Sequence, residues 1–262
     1  MEPKDDSKEM TAYTFLNLVA APIVDELKSI AGLKELVTNS AVIGAHAEAV
    51  VRRLVRRIVH PLRVSTGAVI SEHLCRDPEN IPQLDTIIWQ PCPAPAIYEI
   101  DDFGIVPRGS SMGIMEIKRS NYTGVGSKLK ERLNPELVWT LVADALPVES
   151  TILNPNLYPT YPALGVVCLR ESGKKDSDLD ELIADHRCVV ILENQDDQLA
   201  ANPEAVYRLV NFLIRIRQRG LFWDGKALIN MEHFNSQPNY GTSSVPDNFR
   251  WAIEEQPERK GD

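Results

Sequence analysis

Long apolar runs are missing from this chain. No stretch of about 18 residues escapes interruption by charge, so no transmembrane helix is read. A basic-then-apolar leader is missing as well, because the chain starts Met1-Glu2-Pro3-Lys4-Asp5-Asp6; a cytoplasmic protein without membrane contact is expected. Cysteine is scarce: Cys75, Cys92, Cys168 and Cys188 form no close pair, so neither a disulfide framework nor a zinc site is indicated. Cys168 and Cys188 sit in apolar runs and are expected to be buried, reduced thiols. Positive charge is in deficit, with a net charge of −9, so the chain does not coat nucleic acid through its overall field. Local basic clusters remain at Arg52 to Arg63, Lys118 to Arg132 and Arg208 to Arg219. Internal repeats and low-complexity tracts are also absent.

What is present suffices for a sizeable core. The 262 residues are 44% apolar, which suits one large domain with extensions. Apolar spacing predicts an amphipathic helix from Thr11 to about Ile30, disturbed near Pro22, and a second from about Ala41 to Val59 with Val51, Leu54, Val55 and Ile58 as its stripe. Glu48 lies on that stripe, with Gly44 one turn earlier allowing close approach of another backbone. Arg52, Arg53, Arg56 and Arg57 fall on the opposite side, as a solvated face or as a patch for phosphates or a partner's acidic surface. A strand over Val64 to Ser71 bends at Gly67 and is followed by a polar turn through Arg76 to Asn80.

Two strands carrying charge organise the chain. In Gln83-Leu84-Asp85-Thr86-Ile87-Ile88-Trp89, Gln83, Asp85 and Ile87 share a face; in Gly113-Ile114-Met115-Glu116-Ile117-Lys118, Ile114, Glu116 and Lys118 do. The excursion between them, with Pro91, Pro93 and Pro95, reads as a loop that lets the two strands lie side by side. After Lys118, the glycines of Asn121 to Lys128 resemble a phosphate-binding loop but lack the required Gly-Lys-Ser/Thr order. They read instead as the entry to a helix over about Ser127 to Ala145, whose N-terminus, with Lys128, is a candidate phosphate contact. The order then runs through a proline-rich loop at Pro155 to Pro162, a strand from Ala163 to Leu169, a helix over Asp176 to Ala184, a strand from Arg187 to Leu192 and a helix from Pro203 to Arg219. That alternation suits an α/β domain. Residues 1–40 are read as an N-terminal helical extension, 41–230 as the main domain and 231–262 as an irregular tail.

An Asp on one strand beside Glu-x-Lys on the next is an arrangement that cleaves phosphodiesters with metal. Carboxylates hold Mg²⁺, which prefers oxygen, and a lysine beside the attacking water assists its deprotonation or stabilises charge. An inward Glu48, then Gln83-Leu84-Asp85, then Glu116-Ile117-Lys118 and a following helix resemble the PD-(D/E)XK nuclease superfamily over roughly Gly44 to Ala145. With Ile105-Val106-Pro107 before Glu-Ile-Lys, the pattern is similar to a bacterial group that includes cyclic-oligonucleotide-activated anti-phage effector endonucleases. Leu84-Asp85 stands in place of the superfamily's Pro-Asp.

The resemblance implies a restriction-endonuclease-like fold: a mixed central sheet flanked by helices. It implies Asp85 and Glu116 as metal ligands, Lys118 as the catalytic lysine, Glu48 as an accessory ligand, and Mg²⁺, or Mn²⁺ in its place, as cofactor. Gln83 matches the pattern and, with Arg52, Arg56 and Lys128, is a candidate substrate contact. A DNA substrate, a nucleotide activator and a homo-oligomer follow from the same resemblance. Three other readings stay open: a buried ion-pair network, a non-cutting binding or assembly protein, and a nuclease for RNA or branched nucleic acid.

Overall fold

Asn39 starts the first long helix by accepting the N–H groups of Ala41 and Val42 on its side chain. In this computed structural model the described residues are 22, 24–29, 36–70, 81–91, 94–142, 162–171, 173–195 and 198–232. The expectations for most of residues 1–35, the turn at Arg76 to Asn80, Cys75, Cys92, most of the Pro155 loop and the tail past Glu232 lie outside them. Residues 24–29 are helical, as expected.

Helix α1 (Ser40–Val59) buries Ile43, Ala47, Val50, Val51, Leu54, Val55 and Val59. It leads into an eight-stranded mixed sheet of order β3-β4-β1-β2-β5-β6-β7-β8. Its strands are β1 (Arg63–Ile70), β2 (Leu84–Trp89), β3 (Tyr98–Ile100), β4 (Phe103–Pro107), β5 (Ser111–Ser120), β6 (Ala163–Arg170), β7 (Cys188–Gln195) and β8 (Gln198–Ala201). The antiparallel run β1-β2-β5 continues as parallel β5-β6-β7. The remaining helices are α2 (Val125–Arg132), α3 (Pro135–Leu141), α4 (Ser177–Ala184) and α5 (Pro203–Glu232).

Strand alternation divides the apolar side chains between two cores. Ile88, Met115 and Ile117 pack with α1 and α5, and Leu27 joins them; Ile87 and Ile114, cross-strand partners, pack with α2, α3 and α4. Each such fully buried side chain contributes about 1.5–3 kcal/mol. Cys168 and Cys188 lie one in each core, and burial pushes both thiols up to about 12, so they stay protonated.

Four expectations are corrected. The proline-rich excursion is more than a loop, because it carries the short β3–β4 hairpin, whose β4 pairs in parallel with β1. The predicted helix from Ser127 to Ala145 is broken: Asn134 caps a new helix with Pro135 at its first position, a start signal visible in the Asn-Pro step. Among the described residues nothing stands within 4 Å of where a Cβ on Gly44 would lie, so that glycine serves no close approach to any of them. Leu84 joins the core of Ile87 rather than that of Ile88. The cause is a register shift: Ser65 opposes Ile87 but Gly67 opposes Leu84, so two steps along β1 match three along β2. The extra residue of this bulge falls at Asp85 or Thr86. Gly67 has φ +136°, and a Cβ there would stand 2.0 Å from the carbonyl oxygen of Gly104, its parallel partner.

Candidate active site

β2 and β5 bring the three predicted groups together. Thr86 opposes Met115, the last pair of their ladder toward the start of β2, while β5 runs on to Ser120. The Ile117 N–H beyond that pair donates to Asp85 Oδ2 at 2.8 Å, so the carboxylate stands where a further strand residue would have accepted. Lys118 Nζ lies 3.3 Å from Asp85 Oδ2 and 3.3 Å from Glu116 Oε2. One ammonium thus bridges two carboxylates across the strand pair.

The bulge explains how Asp85 is aimed. A bulge unpairs one residue and redirects its side chain, and bulges recur beside active sites. Here the carbonyls around it are met by side chains: Thr66 Oγ1 donates to Leu84 O at 2.9 Å, and Arg52 Nη1 donates to Asp85 O at 2.9 Å. Arg52 also reaches Glu48 Oε2 at 3.5 Å, one turn back on α1. The expected placement of Arg52 on a solvated face is therefore corrected, since it is only 7% exposed. Helix α1 lies between the sheet, α5 and the residue 24–29 segment, so its buried arc is wider than one stripe.

The electrostatics follow from crowding. Burial and then the Asp85 carboxylate push Glu116 up to about 7, against the pull of Lys118. Glu48 is raised too, by burial and by Asp85, with Arg52 opposing. For Lys118, burial favours the neutral form, but Asp85 and Glu116 outweigh it and hold the ammonium above its usual range. Among the described residues no donor meets the buried Glu116 Oε1, while the Asp85 carboxyl lies within hydrogen-bonding reach of the Glu116 side chain. An orphaned carboxylate oxygen in a surplus of negative charge suits a cation. Among the described residues no three His, Cys, Asp or Glu side chains form a ready metal cluster. Mg²⁺ keeps several waters and commonly takes one or two carboxylates, which Asp85 and Glu116 supply.

The other candidates are dispersed. Gln83 is exposed just before β2. Arg56 is spent on Val64 O and Asp102, which ties α1 to β1 and to the β3–β4 turn. Arg53 and Arg57 pair with Glu26. Lys128 lies over the Tyr122 ring, 5.1 Å from its centroid, on the exposed side of α2. The N-terminus of α2 does not stand open for a phosphate: Asp176 Oδ2 accepts the Gly126 N–H at 3.0 Å, and the carboxylate takes the anion's place. Beyond β5, the buried Asn121 braces the end of β6 by exchanging hydrogen bonds with the main chain of Glu171.

No protein-family profile matches this chain, and no curated protein matches it by sequence. Solved structures do. The cAAA-bound NucC of P. aeruginosa ATCC27853 superposes with a TM-score of 0.51 at 14% identity, covering 81% of this chain and 97% of that one. The cAAA-bound NucC of E. coli MS115-1 gives 0.52 at 16% identity, covering 81% and 96%. The chain has the NucC fold. The expected mixed central sheet flanked by helices is thereby found, and the likeness to NucC is one of fold.

Proposed function

We propose that this chain is a metal-dependent endonuclease that hydrolyses DNA phosphodiester bonds in bacterial anti-phage defence. The observation that carries the reading is the Asp85–Lys118–Glu116 bridge at the bulged end of β2, with one Glu116 oxygen left orphaned. A satisfied structural ion pair gives no reason for a buried carboxylate oxygen without a donor. The fold shared with NucC supports the reading.

Asp85 and Glu116 would hold Mg²⁺ or Mn²⁺, with Glu48 as an accessory carboxylate. The ion supplies a more acidic bound water and neutralises charge building on the phosphate. The chain's own groups do the rest. The Ile117 N–H fixes the orientation of the Asp85 carboxylate. Lys118, kept cationic by both carboxylates, is a point charge that orients the attacking water and stabilises the anionic transition state. The two NucC structures are cAAA-bound, which supports a cyclic-oligonucleotide ligand for this chain; its activating role and a homo-oligomeric assembly rest on the sequence resemblance.

The test is cleavage of supercoiled DNA, linear duplex DNA and RNA by the purified protein. Mg²⁺, Mn²⁺ or EDTA is added, with and without cyclic oligonucleotides, beside Glu116→Ala. DNA cutting that needs the metal and disappears in the variant is expected. Cutting that survives Glu116→Ala refutes the site; RNA cut in preference to DNA moves the substrate.

A further inference from the structure

We propose that Arg52 is a positioning residue for the carboxylate centre, holding the β2 bulge in the shape that aims Asp85. The proposal rests on the metal-dependent reading above. Three observations carry it. Arg52 is buried, and its Nη1 is a donor to the main-chain oxygen of Asp85 itself. The same guanidinium nitrogen reaches Glu48, so one side chain spans the accessory carboxylate and the backbone of a principal ligand. Its Nε is buried with no partner among the described residues, an expense of desolvation that an ordinary surface arginine on a helix never meets.

The physical reason is the register shift. A residue extra to the ladder leaves main-chain groups without strand partners, and an unpaired buried carbonyl costs about 1–3 kcal/mol. Thr66 meets one of the two carbonyls here and Arg52 the other. Without Arg52, β2 can relieve the unmet carbonyl by slipping toward regular pairing. A one-residue slip turns a strand side chain to the other face. Asp85 would then leave Glu116 and Lys118 while the rest of the sheet stayed intact. Arg52 touches neither substrate nor reacting atoms in this scheme; it acts through Asp85 and Glu48.

The test is calorimetric titration of Mg²⁺ and Mn²⁺ into the intact chain without nucleic acid, with thermal melts alongside. Arg52→Gln, polar but too short to reach Asp85, is expected to weaken divalent binding at least about 10-fold, the range for residues that orient metal ligands. Arg52→Lys, which keeps the charge and one reaching donor, recovers part of the loss. Arg53→Met, on the same helix but paired with Glu26, binds as the parent does. Folded Arg52→Gln with parental affinity overturns the proposal, whatever its melting temperature. Should that variant not fold, Arg52→Met carries the same comparison. A parent chain that binds no divalent ion overturns the nuclease reading, and this assignment with it; a parent that binds beside an Arg52 variant that binds equally well overturns this assignment alone.

Discussion

Replacing Glu116 with glutamine is expected to stabilise the metal-free protein at pH 8. Burial and the neighbouring Asp85 lift this carboxyl from its ordinary 4.5 to about 7. Between those values the unfolded chain releases the proton while the native state keeps it. Native stability therefore falls as pH rises through that window, and the whole penalty is present above about pH 7. At about 1.4 kcal/mol per pH unit, the penalty comes to about 3 kcal/mol. Glu116 is 2% exposed, so solvent does little to screen it. Glutamine keeps the shape, can still accept from Lys118 and never ionises. The gain over the parent is thus near zero at about pH 4, growing to about 3 kcal/mol at pH 8, or about 6–12 °C in Tm for a chain of this size. Urea unfolding of both proteins in EDTA at several pH values measures it, and the pH-dependent part of the difference separates ionisation from packing. A difference that stays flat with pH, or a variant less stable than the parent at pH 8, refutes the reasoning.

Asp85→Asn keeps an oxygen for the Ile117 N–H, so its stability should stay within about 1 kcal/mol of the parent while divalent binding and cleavage are lost; urea melts and calorimetry read the two separately. Lys118→Met removes the ammonium bridging Asp85 and Glu116 and is expected to lower metal-free stability by about 2 kcal/mol, to abolish turnover and to retain Mg²⁺ binding. Mg²⁺ at about 100 times its Kd should add about 2.7 kcal/mol to the parent, and its affinity should fall as pH drops below about 7, because Glu116 must give up a proton to bind; titration at pH 6 and 8 checks the sign. Gly126→Ala would place a Cβ 2.3 Å from the Leu179 nitrogen, forcing α2 from α4 at a cost of at least about 1–3 kcal/mol, with divalent affinity unchanged.

The candidate site residues were legible because their pattern is local. Glu116 and Lys118, two apart in one strand, share a side by strand alternation alone, and the pairing of β2 with β5 brings Asp85 beside them. The aim of Asp85 was not legible, because it depends on a two-versus-three mismatch between β1 and β2 that no single strand displays. Gly67 was the trace it left, read as a bend. Arg52 was misread for a similar reason: helical spacing from Glu48 puts it one turn on, but how wide an arc α1 buries depends on α5 and Leu27, distant in sequence. The occupation of the α2 N-terminus by Asp176, 50 residues away, leaves no mark in the Asn121 to Lys128 segment. Pro135, by contrast, carried its own signal.

The contact between Gly67 and Gly104 bears on descent. A side chain at Gly67 would meet the Gly104 backbone at 2.0 Å, and one at Gly104 would meet Ser65 Oγ at 2.8 Å, so neither position offers evolution a neutral first step while β4 lies against β1. Catalytic carboxylates can be lost in a lineage that gives up cutting, and surface helices can change almost freely. Gly67 answers to the backbone of Gly104, and Gly104 to the Ser65 side chain, for as long as the hairpin stays docked.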